Sequence, residues 1–319
     1  MPPASKTNSV MRICFALILA FSCLTSSVVW AQNPVVPGQG QRIWLDDLED
    51  ENWEYIDNHP KSSHEQDNNV RLPGGMSKNK LWGESSKRGH PDYIRRVETP
   101  EGGIPGSKGA LLMMTLQSNI PFRASHELGQ DDFICRVPGS YSVRQYPSAV
   151  TRVYLPPFEK WEQYKGAATF GFRTTCIGSR SKKKGAGLFS YTSNETEENW
   201  PGIFIEFQPA KPGTEQEPAA QWIIRGAPYG DVRGPKISVD QLGWWTIGMS
   251  FTPDGRCHYF ISQGADDLTS QDLVASYLPY NYKIETVSGM FFNVFNFDNG
   301  KSWSTPWVVD DPAFYVGRR

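Results

Sequence analysis

The chain predicts an all-β fold, a two-sheet antiparallel β-sandwich. Three observations carry that expectation. Apolar and polar residues alternate with a period of two in segment after segment, as strands with one face on a core require. Gly/Pro turn clusters punctuate those segments. Residues 243–263 read as a strand led by Trp244-Trp245, a Pro253-Asp254-Gly255 turn and a returning strand. No self-similarity at a period of 20–50 residues is visible, so propellers and solenoids are set aside.

The segments follow in order. Residues 1–31 place Lys6 and Arg12 ahead of an apolar stretch, and small residues Val29 and Ala31 precede Gln32. That layout predicts a cleaved secretory signal peptide, and hence a secreted, periplasmic or extracellular location for a single domain over 32–319. The apolar stretch is shorter than the ~20 residues a bilayer span needs. Without Lys6 and Arg12, 30 basic residues face 34 acidic ones. Such mild acidity argues against a nucleic-acid partner, and no later segment is apolar enough to span a membrane. Of the 5 cysteines, Cys135, Cys176 and Cys257 lie beyond residue 31. One bridge with a free thiol and three buried thiols are both compatible with that count.

Gln41–Asp46 reads as a first strand. Residues 47–108 are polar, rich in Gly, Pro and Asn, and hold Trp53, Tyr55, Trp82 and Tyr93. They predict a long irregular segment pinned to the sandwich by aromatics. Gly109–Gln117 is an apolar run. Ala149–Leu155, Ala168–Thr175, 203–207, 219–226 and 244–251 each alternate, and Asp266–Ala275 is expected to form a short helix or turn. The pattern puts Val153, Phe172, Ile205, Trp245 and Ile261 on the core side.

Three segments carry a family resemblance. They are Ile43-Trp44-Leu45-Asp46-Asp47-Leu48-Glu49 with Trp53, Trp244-Trp245-Thr246 through Phe260, and Val308-Val309-Asp310-Asp311 with Tyr315. In that order they resemble the opening strand, penultimate hairpin and closing strand of concanavalin A-like lectin/glucanase jelly rolls, laminin-G-like modules included. The resemblance implies a jelly roll with one concave sheet across which a polysaccharide or other glycan lies.

The side opposite the core collects Arg152, Tyr154, Arg173, Glu206, Trp244 and His258, with Arg225 as a further member. Rings that stack on sugars and side chains that direct hydrogen bonds make this row a candidate glycan groove. Three functions fit it. The first is exported carbohydrate binding without catalysis. The second is an enzyme on the same groove. A polysaccharide lyase would use Arg152 or Arg173 to neutralise a uronate and His258 or Tyr154 as base. A glycosidase needs two carboxylates, and only Glu206 is evident; the superfamily's Glu-x-Asp-x-x-Glu strand is not reproduced at Glu206-Phe207-Gln208-Pro209. The third is a structural or adhesive envelope protein. No cofactor motif occurs. Asp47 and Asp310, in acidic clusters near the two chain ends, are candidate ligands for a structural calcium ion, which several members of the resembled family bind there. The oligomeric state is open.

Overall fold

The computed structural model of the chain describes residues 34–164, 167–185, 191–211 and 213–317. The expected signal peptide over 1–31 lies outside the described residues. Among the described residues, no helix is long and apolar enough to cross a membrane.

The alternating segments pair into two antiparallel sheets. The eight-stranded sheet runs, in spatial order, Leu273–Tyr277, Cys257–Gln263, Gly243–Phe251, Ser148–Leu155, Trp307–Val316, Gly109–Met114 and Tyr93–Glu98, with Gln41–Leu45 also paired to Trp307–Val316. The eleven-stranded sheet runs Val232–Ile237, Ala219–Arg225, Gly202–Gln208, Ala167–Lys184, Lys283–Phe297, Leu128–Cys135, Trp82–Glu84, Met76–Ser77 and Tyr55–Ile56. Tyr191–Asn199 and Tyr141–Ser142 are added beside Ala167–Lys184 and Lys283–Phe297.

The inner faces meet in one aromatic-rich core. Val153, Phe172, Ile205, Trp245 and Ile261 all belong to it, as the alternation requires. Trp222 of one sheet meets Trp245 of the other at 5.5 Å, and Phe170 meets Trp307 at 5.0 Å. Truncating any one of these rings would cost about 3–5 kcal/mol, because lost transfer energy and a residual cavity add. The Trp244-led hairpin closes as expected. The Gly255 N–H donates to the Thr252 carbonyl at 2.8 Å, and Gly255 takes φ +85°, a conformation that favours glycine. Cys135, Cys176 and Cys257 are free and buried.

One expectation is corrected and another is met in part. Residues 47–108 are not simply irregular: they supply four strands, three to the eleven-stranded sheet and one to the other. Those three are only two or three residues long, too short for alternation to register. Buried polar anchors hold them. The Asp46 carboxylate accepts the indole N–H groups of Trp53 (2.9 Å) and Trp82 (2.6 Å). The Lys61 ammonium, 3% exposed, lies between Asp92 (2.8 Å) and Asp131. The short helix or turn expected in 266–275 is present as a 3-10 turn at Ser270–Asp272, and the strand Leu273–Tyr277 follows it.

Candidate functional site

The seven side chains expected in one groove are divided between two outer faces. Arg152, Tyr154, Trp244 and His258 lie on strands of the eight-stranded sheet; Arg173, Glu206 and Arg225 lie on the eleven-stranded sheet. Alternation tells inside from outside but not one sheet from the other, and that is where the expectation fails.

The first four are already occupied. The Trp244 indole N–H donates to the Pro100 carbonyl at 3.1 Å, and its ring packs with Tyr154 at 5.5 Å. Arg152 is held by the Ala265 carbonyl (3.2 Å) and the Asp267 carboxylate. His258, 4% exposed, has Nδ1 on the Ser276 hydroxyl (2.6 Å) and Nε2 on the Thr252 hydroxyl (2.8 Å). Burial pushes its pKa down to about 4. Val36 and Leu268 cover Val150 and Phe260 of the same face. Arg152 and Tyr154 share the outer face of one strand, but the guanidinium is already paired with Asp267 and both His258 ring nitrogens are taken by hydroxyls. His258 is held by hydrogen bonds, and Tyr154 packs on Trp244.

Asp47 and Asp310 are likewise engaged locally. Asp310 accepts the Ser107 hydroxyl (2.9 Å) and the Asp311 N–H (2.9 Å), and Asp47 accepts the Glu49 N–H (3.2 Å). Burial lifts the Asp310 carboxyl to about 7. Among the described residues, no group of three or more His, Cys, Asp or Glu side chains converges to hold a metal ion.

The outer face of the eleven-stranded sheet is built differently. Strand register lays its side chains in cross-strand rows. One row runs Ile223, Phe204, Gly171, Asn293, Asp132. The next runs Arg225, Gly202, Arg173, Phe291, Ile134. From Phe204 to Asp132 is three strand spacings, roughly 14 Å. The two glycines make the floor. A Cβ on Gly171 would come within 2.6 Å of the Phe204 ring, and one on Gly202 within 2.7 Å of Arg173 Cγ. Their bare backbones let Phe204 and Arg173 lie across neighbouring strands.

Polar groups are fixed over this floor. Asp132 Oδ1 accepts from Gln130 Nε2 (2.8 Å) and Asn293 Nδ2 (2.6 Å). Burial raises the Asp132 pKa, against the pull of nearby Arg88 and Arg173. Arg173 donates Nε and Nη2 to the Trp200 carbonyl at 2.9 and 2.7 Å. Its guanidinium carbon stands 5.4 Å from the Phe291 ring centre and 5.6 Å from that of Phe204. Burial lowers its pKa, yet a guanidinium stays charged. Arg225 stacks on Phe204 at 4.0 Å and forks onto Asp231 at 3.0 and 2.9 Å.

Walls complete the groove. The turn around Ser85–Arg88 and Glu65 rise on one side, Glu198 and Trp200 on the other, enclosing about 440 Å³ above Gln130, Asp132, Ile134, Arg173 and Phe291. Past Phe204 a second cavity of about 460 Å³ is lined by Glu206, Ile223, Arg225 and Arg233. Of the other carboxylates of the first cavity, Glu84 and Glu65 are committed, while the exposed Glu198 takes no side-chain partner among the described residues. Glu84 accepts the Gly75 N–H (2.7 Å) and Asn58 Nδ2 (2.8 Å), and Glu65 pairs with Arg88 at 2.6 Å. Of the expected residues, Arg173, Glu206 and Arg225 are thus retained in a groove. Gln130, Asp132, Trp200, Phe291 and Asn293 were missed. The alternation of Gln130, Asp132 and Ile134 against Phe133 and Cys135 was the signal that could have found the first two.

No protein family and no curated protein sequence matches the chain. Among solved structures it is similar to a carbohydrate esterase of Shiga toxin-encoding bacteriophage phi24B, at 10% identity over 81% of this chain and 97% of that one, TM-score 0.43. It is also similar to a GH131 beta-glucanase catalytic domain from Podospora anserina (12% identity, 71% and 80% covered, TM-score 0.37). A third is an alginate lyase from Pseudomonas aeruginosa (9% identity, 72% and 87% covered, TM-score 0.35). The likeness is one of shape, and no residue of theirs is carried over to this chain.

Proposed function

We propose that the protein is an exported carbohydrate-binding protein that holds a glycan, without catalysis, along the outer face of the eleven-stranded sheet. One observation carries this reading: Arg173 is held over Phe291 and Phe204 beside the Gln130–Asp132–Asn293 hydrogen-bond set, at the base of a walled groove. Aromatic faces suit the C–H faces of sugar rings, and oriented forks and amides suit their hydroxyls. The non-catalytic part rests on the commitment of Glu84 and Glu65 to local partners and of Asp132 to Gln130 and Asn293, which leaves Glu198 as the one carboxylate of this cavity without a side-chain partner among the described residues. Hydrolysis needs a second carboxyl facing the first across the scissile bond.

The test is a glycan-array screen of residues 32–319, with reducing-end release and unsaturated-uronate absorbance followed on every glycan bound. Binding without turnover is expected. Arg173→Ala should weaken it about tenfold while the domain stays folded, and Arg173→Lys, which keeps charge but loses the fork, should fall between. Product release would overturn the non-catalytic reading. Undiminished affinity in folded Arg173→Ala would remove this groove from the function.

A further inference from the structure

The two walls of the first cavity touch. Lys87 projects from the turn that follows Trp82–Glu84, and its Nζ lies 4.4 Å from the centre of the Trp200 ring. Trp200 sits on the far side, between Tyr191–Asn199 and Gly202–Gln208, with its carbonyl gripped by Arg173. In the sheet, Lys283–Phe297 and Leu128–Cys135 separate Trp82–Glu84 from Ala167–Lys184, the strand that carries Arg173. The contact therefore crosses the groove above Phe291, Ile134 and Asp132.

The choice of partner is informative. Glu65 and Glu198 line the same cavity, and the neighbouring Arg88 takes Glu65 at 2.6 Å. The exposed Lys87 ammonium takes no carboxylate among the described residues and rests on the indole instead. An exposed cation on a half-buried ring is held weakly, so it is displaceable. The indole face it covers is the kind of surface on which a pyranose stacks.

We infer that Lys87 and Trp200 form a removable strap across the groove, in which Trp200 is the sugar-stacking platform and Lys87 a placeholder that an entering glycan displaces. This rests on the carbohydrate-binding reading and adds a gate to it. Binding then includes the loss of one cation–π contact. Removing the lysine should tighten binding, whereas removing the ring should weaken it.

The experiment measures affinity for an array-selected oligosaccharide in the wild type, Lys87→Ala, Trp200→Ala and the double variant. It also follows the Trp200 indole N–H resonance, assigned by Trp200→Phe. Lys87→Ala should bind about threefold tighter, equivalent to roughly 0.6 kcal/mol. Trp200→Ala should bind about tenfold more weakly, and in that background Lys87→Ala should have no further effect. Without any sugar present, Lys87→Ala should already shift the indole resonance, and glycan should shift the wild-type resonance the same way. Weaker or unchanged binding in Lys87→Ala overturns the strap, as does an indole signal that ignores the substitution. If Arg173→Ala loses binding but Trp200→Ala does not, the groove stands and the strap falls. If no glycan binds the wild type, the functional reading falls, and the resonance alone decides whether the contact exists.

Discussion

The two outer faces of this sandwich began with equivalent material and ended with opposite roles. Both carry aromatic and charged side chains at alternating strand positions. On the eight-stranded sheet, residues 34–40, 99–107 and 264–272 lie over the outer face, Trp244, Arg152 and His258 find internal hydrogen-bond partners, and Tyr154 packs on Trp244. On the eleven-stranded sheet, Arg173, Phe204, Phe291 and Asp132 lie at the bottom of walled cavities. A row of aromatic and charged residues is thus not itself a site. It becomes one when loops stand beside it as walls rather than fall across it as a roof.

Trp244→Ala should separate the faces most sharply. Its ring is 5% exposed, so the loss should cost about 3 kcal/mol of unfolding free energy in denaturant, with glycan affinity per folded molecule unchanged. An affinity change as large as the stability change would show that the roofed face reaches the ligand.

Acid provides the next contrast. His258 holds its folded pKa at about 4, below the ordinary 6.5, because burial disfavours the charged imidazolium. Between those values the unfolded chain takes up a proton that the folded one refuses, so stability falls as pH drops from about 6.5 towards 4. The share of His258 should be on the order of 2 kcal/mol. Asp310, raised to about 7, acts with the opposite sign. The measurement is therefore the difference between wild type and His258→Gln at pH 7, 5.5 and 4.5, in which the Asp310 contribution cancels. A pH-independent difference would mean that the imidazole does not titrate as its surroundings dictate.

Arg225 offers the smallest and finest test. It is satisfied by Asp231 and only edges the second cavity. Arg225→Ala should weaken glycan binding about twofold to threefold, without measurable loss of stability. A loss equal to that of Arg173→Ala would move the centre of the site past Phe204.

The legible part of the fold followed its chemical contrast. Ala149–Leu155, 203–207 and 244–251 carry polar residues at outward positions (Arg152, Glu206, Thr246 and Ser250), and their alternation assigned their core residues correctly. Lys283–Phe297 went unread because Phe291 and Phe295, although outward, are 5% and 6% exposed beneath the groove's own side chains. Apolar residues at outward as well as inward positions leave little polar phase to read. Leu128–Cys135 was hidden for a related reason. Asp131 is buried at its inward position by Lys61, 70 residues away, which breaks the expected pattern with a charge. The site was half legible: Arg173, Glu206 and Arg225 were found, Asp132 and Trp200 were not. Arg152 and His258 were added to them because nothing local distinguishes their strands.

By itself, the order of residues determined the β character, the inward set of side chains and the turns between strands, since all three depend on the period of the backbone and on local dihedral preferences. Which strands became neighbours, which outer face was roofed and which was walled, and the meeting of Lys87 with Trp200 were decided only by the tertiary structure. Those are long-range pairings, set by register and by buried anchors such as Lys61 and Asp46.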